Sequence, residues 1–291
     1  MNDPQIVLKN IRLELAKYII DNRIGALILG VSGGMDSALC AALAKPVCDA
    51  AGIKLIGRSI PISGNKEDEK NRAFEIGTNF CHDFDENYLM DDDFQSIWSH
   101  LDPEGWDIAD EETTRKFRQG NIKARLRMIY LYDLAQLHHG MVLSTDNLTE
   151  YLLGFWTLHG DVGDYGMIQR LWKSEVYDLA EWMVNNENWN EEQKEAIQSC
   201  IDCNATDGLG ITNTDLDQLM PGWTGSSREG YKKVDEILQN YEMEYATHGD
   251  DIMEYVDFNS PVIIRHLKTR FKRDNPHNIS RFDLFKKLPQ S

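Results

Sequence analysis

The sequence lacks a long apolar run and has little positive charge. No apolar stretch approaches the length of about 20 residues that a membrane-spanning helix needs, and no hydrophobic segment opens the sequence. Its 30 Lys and Arg residues are outnumbered by 48 Asp and Glu residues, for a formal net charge of −18. Binding to a nucleic-acid backbone depends on Lys and Arg displacing counterions. We therefore expect neither a membrane nor a nucleic acid as a main partner.

Cysteine is sparse and irregularly spaced. Five cysteines without a repeating pattern do not form the disulfide framework of a small secreted protein. The pair in "CIDC" (200–203) has a spacing that metal and redox sites use. It stands without a second pair, so two ordinary cysteines are favoured. With 42% hydrophobic residues in 291 positions, the chain can bury a core without disulfides, and we expect a cytoplasmic protein.

Short apolar runs alternate with helical patterns along the first part of the chain. The predicted strands are "ALILGVS" (26–32), "KLIGRSI" (54–60) and "MVLS" (141–144), and the predicted helices include 4–22 and 121–137. This alternation predicts an α/β fold, an open parallel sheet with helices on both faces. After about residue 174 the pattern is mostly helical, and Ser174 is expected to cap a helix. Since no repeat or composition shift divides the chain, we predict a single domain over 1–291.

Two acidic stretches, "HDFDEN" and "MDDDF", lie between residues 82 and 94. Their carboxylates could bind a metal ion. The carboxylates lack a fixed ligand spacing, so a solvated loop or lid is favoured.

The segment "GVSGGMDS" follows the first predicted strand and precedes a predicted helix. It comprises Gly30, Val31, Ser32, Gly33, Gly34, Met35, Asp36 and Ser37. Such a turn presents free backbone N–H groups at the positive end of a helix dipole, where anionic oxygens bind. It has neither the Gly-Lys-Ser/Thr ending of the loop that holds a transferring γ-phosphate nor the three-glycine dinucleotide pattern. The alternative is a tight glycine turn in which Asp36 merely favours the helix start.

The run from Ser32 to Ser37 resembles the signature of the ATP pyrophosphatase (PP-loop) superfamily, whose members cleave ATP between its α- and β-phosphates. Three further blocks resemble the ammonia-dependent NAD synthetase family in order and spacing. These are "GNIKARLRMIYLY" (120–132), "STDNLTEYLLGFWTLHGD" (144–161) and "LWKSEVYDLA" (171–180), followed by "NATDGLG". The resemblance implies a Rossmann-like, adenine nucleotide alpha hydrolase-like fold with a helical C-terminal part.

The resemblance assigns ATP and magnesium to particular residues. It implies that residues 30–37 bind the ATP phosphates, together with Thr145, Lys173 and Thr206, and that Asp36 and Glu150 bind Mg²⁺. Asp36 and Lys173 are the implied catalytic residues. Taken alone, Glu150 could be an exposed helix charge and Lys173 a solvated surface cation. The carboxyl ends of parallel strands gather ligands, which favours the functional interpretation.

The second substrate is less fully matched. By resemblance, Arg125, Asp164 and Lys272 contact deamido-NAD. Two positions depart from the family pattern: Leu158 stands where the family usually has Lys, and Phe271 stands where it usually has His. By itself Arg125 could be an exposed helix arginine.

The resemblance implies a C–N bond-forming ligase that converts deamido-NAD into NAD⁺. The nicotinic acid carboxylate attacks the α-phosphorus of ATP, which gives an adenylated intermediate and pyrophosphate, and ammonia then displaces AMP. Glutamine-dependent members carry a large N-terminal amidase domain, whereas the first strand predicted here starts at residue 26. We therefore expect direct use of ammonia, unless a separate subunit supplies it. The resemblance also implies a homodimer.

Two alternatives stay open. One is another PP-loop enzyme that modifies tRNA or amidates a purine, and the other is a nucleotide-binding module that has lost catalysis. The acidic charge counts against a tRNA substrate. The presence of Asp36, Glu150 and Lys173 counts against a module without catalysis.

Overall fold

A five-stranded parallel sheet forms the centre of the molecule. The structure, a computed structural model, describes residues 3–88, 90–102, 111–204 and 214–285. Among these residues the strands are β1 (Ala26–Gly30), β2 (Lys54–Ser59), β3 (Asp83–Glu86), β4 (Met141–Ser144) and β5 (Tyr165–Gly166). They lie in the order β3-β2-β1-β4-β5, and every pairing is parallel. The prediction of an open parallel sheet is confirmed.

Helices cover both faces of this sheet. The described helices are α1 (Pro4–Asn22), α2 (Met35–Ala51), α3 (Glu67–Phe80), α4 (Met90–Leu101), α5 (Glu111–Leu137), α6 (Leu148–Leu153), α7 (Lys173–Asn186), α8 (Glu191–Asp202), α9 (Asp215–Leu219), α10 (Ser227–His248), α11 (Pro261–Lys268), α12 (Arg270–Arg273) and α13 (Arg281–Phe285). A 3₁₀ helix spans Gly249–Glu254. In the described part of the chain, no helix is both long enough and apolar enough to cross a membrane.

The side chains of β1 alternate between two apolar layers, because successive strand residues point to opposite faces. Leu27 and Leu29 pack in one buried cluster with α1, α2, α7 and α8. Ile28 packs on the opposite face against α5, in a cluster with Val142 and Leu134. All four residues from Ala26 to Leu29 are buried, which explains why β1 reads as a continuous apolar run.

Two local predictions differ from the structure. Ser174 does not cap α7, because the helix begins one residue earlier at Lys173. The amide of Ser174 instead donates to Oδ2 of Asp235 on α10, at 2.8 Å. The acidic segment predicted as a solvated loop or lid contains the edge strand β3 and the start of α4. An edge strand tolerates acidic residues because one side lacks a neighbouring strand, and Asp83 pairs with Arg58 of β2 at 2.8 Å.

The strand order creates a crevice between β1 and β4. The chain moves from β1 outward to β2 and β3, and then returns to the other side of β1 to form β4 and β5. The segments that follow β1 and β4 therefore diverge at the carboxyl edge of the sheet. Such switch points are where open α/β sheets bind ligands.

Candidate active site

A cavity of about 350 Å³ opens at this crevice. Its lining includes the segment from Gly30 to Asp36 after β1, Thr145 and Glu150 after β4, and Lys173 at the start of α7. Three separate sequence blocks thus meet at one end of the sheet. The parallel register of β1 and β4 is what brings them together.

The segment 30–37, called the phosphate loop below, holds its shape through its own serines. Oγ of Ser37 donates to the carbonyl of Gly34 at 3.0 Å and accepts from the amide of Ser32 at 3.2 Å. The amides of Gly33, Met35 and Asp36 donate to no residue that the structure describes. At the first turn of α2, such amides remain available to an anion. Ser37 is buried and shapes the loop, whereas Ser32 is exposed to the cavity.

Gly33 requires glycine for two reasons. Its φ of +78° lies in the left-handed region, which side chains with a Cβ rarely adopt. A Cβ at this position would also lie 2.1 Å from the carbonyl oxygen of Glu69 on α3. Helix α3 therefore packs directly against the phosphate loop, and Arg72 strengthens this contact by donating from Nε to the Gly33 carbonyl at 2.9 Å.

Lys173 joins the two predicted metal ligands. Its ammonium group donates to Oδ2 of Asp36 and, at 2.9 Å, to Oε1 of Glu150. Burial alone would lower the pKa of Lys173, but the two carboxylates outweigh burial and hold that pKa above its usual range. Burial and the charge of Asp36 raise the pKa of Glu150, against the opposing effect of Lys173. The three groups form one coupled charge cluster that faces the phosphate loop.

Neighbouring polar residues fix this cluster in place. Nδ2 of Asn147 donates to Oδ1 of Asp36 at 2.9 Å, and the same side chain caps α6 by accepting from the amide of Glu150. Oγ1 of Thr149 accepts from the amide of Lys173 at 2.9 Å and donates to Asp235. Asn147 thus orients the Asp36 carboxylate and fixes the backbone of Glu150, and Thr149 with Asp235 fixes the start of the helix that carries the lysine.

The cluster suits a hard cation. Mg²⁺ prefers oxygen ligands and commonly uses one or two carboxylates together with phosphate oxygens. Asp36 and Glu150 supply two carboxylates beside a loop built for phosphate, and Lys173 shows that a positive charge already fits between them. Among the described residues, no group of three or more His, Cys, Asp or Glu side chains could hold a metal by protein ligands alone. The donor set therefore fits a metal that is shared with a phosphate.

Of the two threonines predicted to bind ATP, the structure describes one. Thr145 lines the cavity, and its hydroxyl makes no hydrogen bond to a described residue. That hydroxyl is available to a ligand. Thr206 lies outside the described residues.

The three residues predicted for the second substrate already have partners within the chain. Arg125 is exposed and donates to the carbonyl of Leu158 at 3.1 Å. Asp164 accepts from the Tyr132 hydroxyl at 2.8 Å and from the Val142 amide at 3.0 Å.

Lys272 donates to the carbonyls of Gly154 and Trp156, at 2.7 and 2.5 Å. None of these three predicted residues lines the cavity, but Asp164 bonds to Tyr132 and Val142, which do line it.

Other residues of the cavity were missed by the sequence prediction. These are Arg58, Asn65, Arg72, Arg127 and Asp161. Arg127 lies two positions after Arg125 in the same block, and the helical period could have indicated that the two arginines face different surroundings. Arg58 and Arg72 carried no such signal, because their contacts depend on how β2 and α3 pack against the loop.

The "CIDC" pair lies beside the phosphate loop. Cys200 is buried, and its thiol approaches the Gly33 carbonyl at 3.7 Å. Burial raises the pKa of Cys200 to about 12, so this thiol is protonated at neutral pH. Cys203 lines the cavity.

Comparison with known sequences shows similarity along almost the whole chain. The model of a family described as NAD synthase matches residues 7–276. An NH(3)-dependent NAD(+) synthetase of Thermoplasma volcanium is 29% identical over 285 residues, which cover 96% of this chain and 99% of the relative.

Solved structures share the fold. An NMN synthetase from Francisella tularensis superposes with a TM-score of 0.70 at 22% identity, over 93% of this chain and 96% of that chain. The NH3-dependent NAD synthetase from Campylobacter jejuni gives a TM-score of 0.64 at 23% identity, over 96% of this chain and 100% of that chain. The α/β architecture predicted from the sequence is therefore that of solved synthetases.

Proposed function

We propose, because this chain belongs to the NAD synthase family, that it amidates deamido-NAD with ammonia at the expense of ATP. Membership of this family supports the ATP-dependent formation of NAD⁺ by this chain. We infer in addition that deamido-NAD is the acceptor and that the reaction passes through an adenylated intermediate. A carboxylate is a poor electrophile, so it must be activated before ammonia can attack it.

In the proposed first step, a carboxylate oxygen of the acceptor attacks the α-phosphorus of ATP and pyrophosphate leaves. The phosphate loop would hold the departing pyrophosphate through the free amides of Gly33, Met35 and Asp36. Lys173 would bring positive charge to the phosphates, which the loop itself lacks. Donors fixed in advance toward developing charge stabilise a transition state without reorganisation.

Asp36 and Glu150 would hold Mg²⁺ together with phosphate oxygens, and the bound ion would neutralise charge on the pyrophosphate. Asn147 keeps Asp36 oriented for this role. When ATP enters, the ammonium group of Lys173 can turn from the carboxylates to a phosphate oxygen, because a lysine side chain has a flexible stem.

In the proposed second step, ammonia attacks the carbonyl carbon of the adenylated acceptor and AMP leaves. The C–N bond forms as the C–O bond to AMP breaks, and one proton is released from nitrogen. No protein nucleophile is required. The contribution of the protein is positioning, which can supply a large part of the rate acceleration.

The observation that carries this proposal is the meeting of the phosphate loop with Asp36, Glu150 and Lys173 in one cavity. The test uses purified protein with ATP, MgCl₂, ammonium chloride and deamido-NAD. We expect AMP and NAD⁺ in equal amounts. A protein that releases no AMP under these conditions, although it is folded, would refute the proposal.

A second candidate acceptor is nicotinate mononucleotide, which carries the same carboxylate but fewer phosphate charges. One observation favours it. Leu158 and Phe271 provide no charge where the family usually has Lys and His, and Lys272 is held by two backbone carbonyls. The same assay with this acceptor decides the question, because the preferred acceptor will show the larger kcat/KM.

A further inference from the structure

Arg127 on α5 is a partly buried cation that forms no ion pair with a described acidic residue. It lines the active-site cavity, where Nε donates to the carbonyl of Ile60 at 2.9 Å and Nη2 donates to Oδ1 of Asn65 at 3.2 Å. Both acceptors are neutral. Among the described residues, no carboxylate oxygen lies within 4.0 Å of the guanidinium group.

The other cations that line the cavity differ from Arg127 in this respect. Arg58 pairs with Asp83 at 2.8 Å and Arg72 pairs with Asp68 at 3.0 Å. Lys70 pairs with Glu67 at 3.2 Å, and Lys173 pairs with Asp36 and Glu150. Within the described ranges, Arg127 is thus the cavity-lining cation that the chain leaves without an ion pair.

Such a group costs free energy unless something compensates it. A buried charge loses hydration, and the loss is recovered only through a nearby opposite charge and complete hydrogen bonding. Burial lowers the pKa of Arg127, and Asp161 and Glu69 oppose that effect only from longer range. An arginine remains charged in a protein in any case, and the described residues leave this charge available to an anionic ligand.

We propose that Arg127 binds an anionic oxygen of a substrate, either a phosphate of ATP or the carboxylate of the acceptor. This inference rests on the proposed function for the identity of the anion. A guanidinium group has five N–H donors, and the two bonds to Ile60 and Asn65 leave three of them for a ligand. Phosphates and carboxylates both match this planar donor set.

The position of Arg127 relative to the phosphate loop supports the assignment. Nδ2 of Asn65 donates to Oε2 of Glu69 at 3.3 Å, and the Glu69 backbone packs against Gly33. Arg127 is therefore connected to the loop through Asn65 and Glu69. The same link fixes the plane of its guanidinium group before a ligand arrives.

The test combines stability with direct binding. We expect R127Q to leave the melting temperature of the ligand-free protein unchanged or higher, because the substitution removes a partly buried charge that no described carboxylate pairs with. Calorimetric titration should then show at least a tenfold weaker Kd for one ligand. Weaker ATP binding would identify a phosphate of ATP as the group that Arg127 binds. Weaker deamido-NAD binding with unchanged NAD⁺ binding identifies the carboxylate, since NAD⁺ carries an amide there.

Matched variants complete the experiment. R228Q removes an arginine that pairs with Asp178 and Glu181 outside the cavity, and it should leave both Kd values unchanged. R127K keeps the charge but loses the planar donor set. It should raise the Kd of the same ligand by a smaller factor than R127Q does. If R127Q binds ATP and deamido-NAD as the wild type does, the proposal is overturned. If R127Q does not fold, wild-type binding by R127K overturns it instead.

Failure of the proposed function can be told apart from failure of this inference. If the wild type binds neither ATP nor deamido-NAD, the proposed function fails. Inorganic pyrophosphate then serves as the probe. A rise in the wild-type melting temperature that R127Q loses supports an anion site at Arg127, and a rise that R127Q retains refutes it.

Discussion

The ammonium nitrogen of Lys173 lies 2.9 Å from Oε1 of Glu150, and the same nitrogen contacts Asp36 across the crevice. One cation therefore connects the segment after β1 with the segment after β4. All three side chains are largely buried. The arrangement places a positive charge where the proposed reaction needs one.

Asp36→Asn should abolish AMP release while the fold persists. The amide keeps the size of the side chain but removes a charge that would hold Mg²⁺. We expect kcat/KM to fall by at least about a hundredfold, as it does when one electrostatic group of an active site is removed. Asp49→Asn is the matched control, because Asp49 pairs with Lys45 outside the cavity. Wild-type turnover by Asp36→Asn would contradict the metal and phosphate roles.

Lys173→Met should destabilise the metal-free protein. Removal of the ammonium group leaves Asp36 and Glu150 facing each other without a cation, and breaking a buried ion pair in this way costs about 3–5 kcal/mol. Added MgCl₂ should then raise the melting temperature of the variant more than that of the wild type. Lys45→Met, which breaks a surface pair with Asp49, should cost less than about 1 kcal/mol. Equal responses of variant and wild type to MgCl₂ would refute the shared cation site.

Gly33→Ala should weaken ATP binding. The substitution places a Cβ in a left-handed conformation and within 2.1 Å of the Glu69 carbonyl, so the phosphate loop and α3 must move apart. Gly52→Ala shares the positive φ, at +68°, but its Cβ meets nothing within 4 Å. Both variants should lose roughly 1–3 kcal/mol of stability from backbone strain. Titration calorimetry should show weaker ATP binding for Gly33→Ala alone, and equal ATP affinities would contradict the account.

His266 should make the protein sensitive to acid. It is buried between α6 and α10, where Nδ1 donates to the Leu152 carbonyl at 3.1 Å, and burial lowers its pKa from 6.5 to about 4. The unfolded chain therefore binds a proton at a higher pH than the native protein does. Stability falls as the pH decreases from about 6.5 to about 4, by up to about 3 kcal/mol.

Melting temperatures measured across this pH range test the effect. His266→Gln should lose less stability on acidification than the wild type. His277→Gln provides the control, because His277 is exposed. An unchanged pH profile in His266→Gln would show that His266 does not account for the acid sensitivity.

The parts of the fold that the sequence predicted were those set by local pattern. The strand 141–144 was predicted at its observed bounds, and β1 and β2 were predicted to within two residues. Strand β3 was missed because its residues are acidic and only partly buried, with no apolar run to indicate a strand. Its place in the sheet depends on pairing with β2, which no local pattern contains.

In the candidate site, too, local patterns predicted some features and long-range packing determines the others. The phosphate loop could be located from "GVSGGMDS" because its glycines and serines act within one short segment. The contact of Lys173 with Asp36 spans 137 positions of the sequence. Only the resemblance to a family predicted that the two residues belong to one site. Arg127 was overlooked beside Arg125, since both stand in one basic block, and only the packing of α5 shows which arginine lines the cavity.

In the proposed first step, the acceptor carboxylate attacks the α-phosphorus of ATP. Deamido-NAD labelled with ¹⁸O in its carboxylate tests it directly, because the oxygen that bonds to phosphorus must leave with the nucleotide. In the presence of ATP, MgCl₂ and ammonium, we predict that mass spectrometry finds one ¹⁸O atom in each AMP. Unlabelled AMP, with ¹⁸O in inorganic phosphate or pyrophosphate, would refute attack of the carboxylate on the α-phosphorus.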